Sequence, residues 1–172
     1  QRHVSGSVLI KWGHTHVICA ATLEEYVPSY VESGGWASAE YSLLPGSTHS
    51  RVRRERKGPS GRTAEIQRLI GRSLRGALDL SQMEGYSLTL DCDVLQADGG
   101  TRCAAITGSY VAAALALKEI GYDPAPFAAV SLGILNHEIY TDLCYEEDSR
   151  AQVDMNIVLS TRGLIEVQGT AE

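Results

Sequence analysis

The segment Leu95-Gln96-Ala97-Asp98-Gly99-Gly100-Thr101-Arg102 sets two glycines, a hydroxyl and a guanidinium where an alternating apolar run gives way to small residues. These groups can hold a phosphate, through amides left free at a helix N-terminus, glycines that admit a close ligand, and side-chain donors to the anion. The same residues also fit a plain helix start, with Asp98 as the cap and the glycine pair as the turn. A second candidate is the pair Asp148 and Asp154, separated by Ser149-Arg150-Ala151-Gln152-Val153. Where the chain is extended, an even separation puts both carboxylates on one face. They could then converge on a divalent cation, or one could donate a proton. The alternative is that Asp148 belongs to the solvated run Glu146-Glu147-Asp148 and that Asp154 pairs with an arginine.

Charge is distributed unevenly. The chain carries a net charge of −6, which speaks against a protein coated with positive charge for nonspecific nucleic-acid binding. Yet Arg51, Arg53, Arg54, Arg56, Lys57, Arg62, Arg68, Arg72 and Arg75 crowd one segment, opposed only by Glu55 and Glu65. Such a strip can meet RNA phosphates, an acidic neighbouring subunit, or only solvent. The histidines have no H-E-x-x-H spacing, no serine sits in G-x-S-x-G, and no G-x-x-x-x-G-K-[ST] loop occurs, so zinc hydrolase, serine hydrolase and P-loop chemistry are unsupported. Cys19, Cys92, Cys103 and Cys144 fall at wide spacings and read as buried, reduced thiols. No apolar run approaches the roughly 20 residues that cross a bilayer, and Gln1-Arg2-His3-Val4 lacks a signal-peptide layout. A cytoplasmic protein with no membrane partner is expected.

The elements that must position these groups can be read from periodicity. Ser7–Trp12 and Val17–Thr22 form a hairpin about Gly13-His14-Thr15, and Trp36–Leu44 is a further short strand. Residues 45–61 have no period and read as a loop. Over Thr63–Leu80, apolar residues recur at helical spacing, leaving Arg68, Arg72 and Arg75 as a stripe on the other side. Tyr86–Val94 alternates as a strand, and Thr101–Lys118 is a helix of small residues suited to burial. Phe127–Leu135 and Ile139–Tyr145 are strands joined at Asn136-His137. Val153–Ser160 and Leu164–Val167 pair about Thr161-Arg162-Gly163, and Gln168–Glu172 reads as a turn that should lead into another element. The order βββ-α-β-α-ββββ is α+β rather than doubly wound, and a chain of 172 residues suits one domain, 1–172.

Three stretches, Gly61–Arg72, Cys92–Arg102 and Glu147–Asn156, closely resemble in order and spacing the ribonuclease PH family of phosphate-dependent 3′-exoribonucleases. The likeness runs from Gly6-Ser7-Val8 to Gly169-Thr170-Ala171-Glu172. It implies a single domain of the ribosomal-protein-S5 domain 2-like β-α-β-α type and a homohexamer built as a trimer of dimers. It also implies trimming of tRNA 3′ ends with inorganic phosphate as co-substrate, releasing nucleoside diphosphates, and nucleotide addition in reverse. Carried over by motif, Gly100, Thr101 and Arg102 would hold the attacking phosphate, and Arg62 would contact phosphate or the RNA end. Asp148 and Asp154 would bind Mg²⁺ or Mn²⁺, one of them acting as general acid. Arg51, Arg53, Arg54 and Arg56 would face incoming RNA, while Arg68, Arg72 and Arg75 would serve subunit contact. The chain departs from the family at Pro45-Gly46-Ser47-Thr48, where members often carry an arginine, and in a short 29–35 loop without basic residues. Relative to the family, an N-terminal P-D-G-R segment and a C-terminal helix are expected to be missing. An RNA-threading ring subunit of exosome type is the competing reading. The presence of Arg62, Thr101, Arg102, Asp148 and Asp154 counts against its noncatalytic form.

Overall fold

The computed structural model describes residues 1–171. Strands β1 (Gly6–Trp12), β2 (Thr15–Glu24), β3 (Trp36–Leu43) and β4 (Ser87–Gln96) form one sheet, in the order β1-β2-β4-β3. Its pairs are antiparallel except β3 with β4, whose parallel pairing requires a crossover. Helix α1 (Gly61–Ala77) lies on that crossover. A second sheet, in the order β6-β5-β7-β8, contains β5 (Phe127–Leu135), β6 (Glu138–Thr141), β7 (Val153–Ser160) and β8 (Gly163–Ala171), all antiparallel. Helix α2 (Thr101–Leu117) packs on β1 and β2 on one side and on β5 on the other, so the helices are shared between the sheets. The core accordingly draws Val17, Leu88 and Leu90 from the first sheet, Ile66, Leu69 and Ile70 from α1, and Phe127 and Val158 from the second sheet.

Local chemistry explains the element boundaries. Ser60 accepts a hydrogen bond from the Thr63 amide and caps α1, whose Ile66, Leu69, Ile70, Leu74 and Ala77 are all buried. The helix ends at Ala77, short of the expected Leu80, because Asp79 caps a separate 3₁₀ turn, Leu80–Met83, by accepting from the Ser81 amide. Small residues let α2 approach the sheet: a Cβ on Gly108 would lie 2.7 Å from Cys19 Sγ. By length and composition Thr101–Ile120 is apolar enough to cross a membrane, contrary to expectation, but 56% of its 18-residue apolar window is buried inside the fold. Asn136 and His137 both take positive φ, the geometry of a tight hairpin turn.

Two expectations need correction. The strand anticipated over Ile139–Tyr145 stops at Thr141, because Asp142 takes a φ of 60° and the chain turns into a short helix, α3 (Tyr145–Asp148). Of the turn expected at Gln168–Glu172, Gln168–Ala171 is strand instead, with Gln168 opposite Asn156 and Ala171 opposite Val153. Glu172, the last residue of that expected turn, lies outside the described residues.

Candidate active site

The glycine turn closes β4 onto α2, and Thr15 orders it. The buried Thr15 hydroxyl accepts from the Asp98 amide at 2.8 Å and donates to the Gly99 carbonyl at 2.6 Å. Asp98 therefore does not cap the helix by its side chain, as one reading of the sequence had it. The N-cap is Gly100, in the left-handed conformation, with no side-chain cap bond. The first amides of α2 thus keep the free donors and positive end of the helix dipole that favour an anion. Gly99 serves packing: a Cβ there would sit 2.4 Å from the Leu143 carbonyl oxygen. The glycine turn is consequently seated on the segment leading into α3.

Asp148 and Asp154 do converge, but not by the periodicity of one strand. Asp148 ends α3 and Asp154 lies in β7 opposite Gly133, so the turn between helix and strand separates them. Ser131 holds the segment leading into α3, accepting from the Asp142 amide through its carbonyl and from the Leu143 amide through its hydroxyl. Glu147 accepts from the Cys144 amide and fixes the start of α3. Burial, then the nearby Asp148 charge, pushes the Asp154 carboxyl above its ordinary range, while Arg102 and Arg62 pull it down. Asp154 thus stands within electrostatic reach of Arg102 at the glycine turn.

A cavity of about 420 Å³ joins these pieces, lined by Arg62, Gly100, Thr101, Arg102, Asp148 and Asp154, with Tyr41, Tyr145 and Asn156 among the other walls. Thr101 is buried and accepts from the Tyr41 hydroxyl at 2.9 Å. Arg102 donates through one terminal nitrogen to Glu65 at 2.9 Å, while its Nε is buried with no hydrogen-bond partner. A guanidinium lining the cavity beside free helix amides suits a phosphate oxygen. The donor set also suits Mg²⁺, which takes one or two protein carboxylates and completes its shell with water and phosphate oxygens. Among the described residues no group of three or more His, Cys, Asp or Glu forms a fuller metal cage.

The other arginines singled out from the sequence fall into two groups. Arg51, Arg53, Arg54 and Arg56 line a separate hollow of about 390 Å³ on the loop before α1, and none of them lines the main cavity. Of the expected stripe, Arg72 pairs with Glu166 of β8. Arg75 donates to the Ala37 carbonyl and lies 4.6 Å over the Trp36 ring. Arg68 is exposed. Reading the sequence missed Tyr41, Thr15, Glu65 and Gln168 as partners of the site. Glu65 was visible only as one of two acids in a basic segment, and Gln168 carries no local signal.

Comparisons with known proteins place this geometry. The sequence model of the 3′ exoribonuclease family, domain 1, matches residues 1–120, and that of domain 2 matches residues 125–172. A ribonuclease PH of Synechococcus sp. (strain JA-2-3B'a(2-13)) is 55% identical over 99% of this chain and 76% of its own length. A second, from Synechococcus sp. (strain JA-3-3Ab), is 54% identical over the same shares. Among solved structures, the Archaeoglobus fulgidus exosome with RNA bound to the active site matches at a TM-score of 0.82 and 20% identity, over 99% of this chain and 74% of that one. Rice (Oryza sativa) Rrp46 matches at 0.83 and 17%, over 100% and 77%. At these identities the structural matches show a shared fold.

Proposed function

Because the chain belongs to the 3′ exoribonuclease family and is a phosphate-dependent 3′-to-5′ exoribonuclease of the ribonuclease PH kind, we propose that it trims the 3′ ends of tRNA precursors. The observation that carries the site assignment is the single cavity shared by Arg62, Gly100, Thr101, Arg102, Asp148 and Asp154. Residues 1–172 act as one catalytic domain, supported by the core that both sheets share. The working form is a homohexamer, a trimer of dimers, in the cytoplasm.

In this reading, Thr101, Arg102 and the Gly100 backbone hold the attacking phosphate, and Arg62 steadies it or the RNA end. An oxygen of inorganic phosphate attacks the phosphorus of the last phosphodiester and the bond to the 3′-oxygen breaks. A nucleoside diphosphate leaves, and the RNA is one nucleotide shorter. Asp154 delivers the proton to the departing 3′-oxygen, a role consistent with a carboxyl whose protonated form burial favours. Asp148 and Asp154 would hold Mg²⁺, which when bound supplies positive charge to the transferring phosphoryl oxygens. Repulsion between two anions is the main obstacle, so guanidinium groups and helix amides act by positioning and electrostatic stabilisation. Arg51, Arg53, Arg54 and Arg56 meet incoming RNA outside the cavity.

The test is to incubate the full chain and Mg²⁺ with a 3′-extended tRNA, with and without phosphate, and to identify the products. Nucleoside diphosphate released only with phosphate is expected. Nucleoside monophosphate released without phosphate, or no release, would refute the reading. Asp154→Asn should abolish turnover with circular dichroism unchanged, and normal turnover would remove Asp154 from the mechanism.

A further inference from the structure

Arg102 does not reach the cavity as a free side chain. Its terminal nitrogen donates to Glu65 Oε2 at 2.9 Å, and the other oxygen of Glu65 accepts from Gln168 Nε2 at 3.1 Å. The Gln168 carbonyl accepts from Asn156 Nδ2 at 3.2 Å, and Asn156 Oδ1 accepts from the Cys103 thiol at 3.1 Å. Five side chains from α1, α2, β7 and β8 thus form one directional chain. Each amide gives its nitrogen to the next acceptor, and the chain ends on a carboxylate that must receive. The starting donor is secure, because burial and then the Asp154 charge push the Cys103 thiol up to about 12, leaving its hydrogen in place.

We propose that Glu65 and Gln168 are positioning residues for the phosphate-holding Arg102, fixing the plane of its guanidinium so that it presents its donors to the cavity in one orientation. A planar fork of donors recognises phosphate only in a narrow range of orientations, so a partner that fixes the plane acts on affinity for phosphate. Simple stapling of α1 to α2 accounts poorly for the arrangement, since both side chains of the pair keep some exposure and such pairs contribute little to stability. A carboxylate beside an anion site also weakens the local positive potential, so its presence is better explained by orientation than by attraction. This inference rests on the reading of the cavity as the phosphate site.

The experiment measures phosphorolysis by the full chain while phosphate and RNA are varied separately, and phosphate binding by calorimetry without RNA. In Glu65→Ala the KM for phosphate should rise about tenfold or more, with the KM for RNA within about twofold. Glu65→Gln keeps an acceptor for Arg102 and should recover to within about threefold of the parent. Gln168→Leu, which breaks the chain one step back, should raise the phosphate KM about two- to fivefold. Calorimetry should rank the same variants in the same order. An unaltered phosphate KM in Glu65→Ala, parallel rises for phosphate and RNA, or a Gln variant no better than Ala would overturn the inference. Should Glu65→Ala fail to fold, Glu65→Gln and Gln168→Leu carry the comparison, and unaltered phosphate KM values in both overturn it. If the parent protein neither binds phosphate nor uses it, the reading of the cavity falls too. A parent active with phosphate beside an unaffected variant sinks the positioning role alone.

Discussion

Replacing each glycine of the turn in separate experiments should separate packing from ligand approach. Gly99 and Gly100 take φ values of 76° and 58°, so alanine at either costs about 1–2 kcal/mol for entering the left-handed region. At Gly100 that is the whole structural cost, because a Cβ would meet nothing within 4 Å. At Gly99 the Cβ would also lie 2.4 Å from the Leu143 carbonyl oxygen and 2.8 Å from the Cys144 carbonyl carbon, backbone atoms that cannot rotate away. Overpacking of that kind adds about 1–3 kcal/mol, so Gly99→Ala should lose about 2–5 kcal/mol in all. Urea titration of both variants measures the difference through the transition midpoint. Activity should divide the other way. Gly100→Ala should raise the KM for phosphate, because the open space beside Gly100 belongs to the cavity it lines. Gly99→Ala should lower kcat by parting the turn from the segment that carries Asp148. Equal stability losses in the two variants would refute the claim that the turn is seated on Leu143–Tyr145.

Asp91 offers a pH-dependent check outside the cavity. Burial, then Glu40 and Asp93, hold its carboxyl above the ordinary value, so ionisation is harder in the folded state than in the unfolded one. Its protonated form adds stability below the unfolded-state value of about 3.9, and that contribution is lost as pH rises through the folded-state value. Asp91→Asn should therefore raise the melting temperature at neutral pH, with the gain vanishing in acid; a gain independent of pH would contradict this origin. For the arginines on α1, the Arg68→Ala, Arg72→Ala double variant should lower the oligomer mass in sedimentation. Losing the partly exposed Arg72 to Glu166 pair should itself cost no more than about 1 kcal/mol. An unchanged mass would remove that stripe from subunit contact.

Much of the fold is legible because its elements are set by local patterns. The alternation of Ser87–Gln96, the spacing of Ile66, Leu69, Ile70 and Leu74, and the small residues of α2 each fix an element and its buried face. Element ends were less legible where a side chain decided them, as Asp79 does after α1 and as the positive φ at Asp142 does after β6. The two aspartates show the difference most clearly. An even spacing suggested one face of one strand, whereas the structure brings them together from a helix end and a strand.

The sequence by itself determined a helix start with two glycines, Thr101 and Arg102, because turn and helix-start chemistry depends on neighbours along the chain, whereas Asp148 and Asp154 joined it only through the family resemblance. Only the tertiary structure decided what orders those groups. Thr15 instead of Asp98 ties the turn, Tyr41 donates to Thr101, and Glu65 with Gln168 holds Arg102. The physical reason is distance along the chain: a hydrogen bond needs its partner within about 3 Å, and nothing in local spacing records that β8 will bring Gln168 to a helix begun more than a hundred residues earlier.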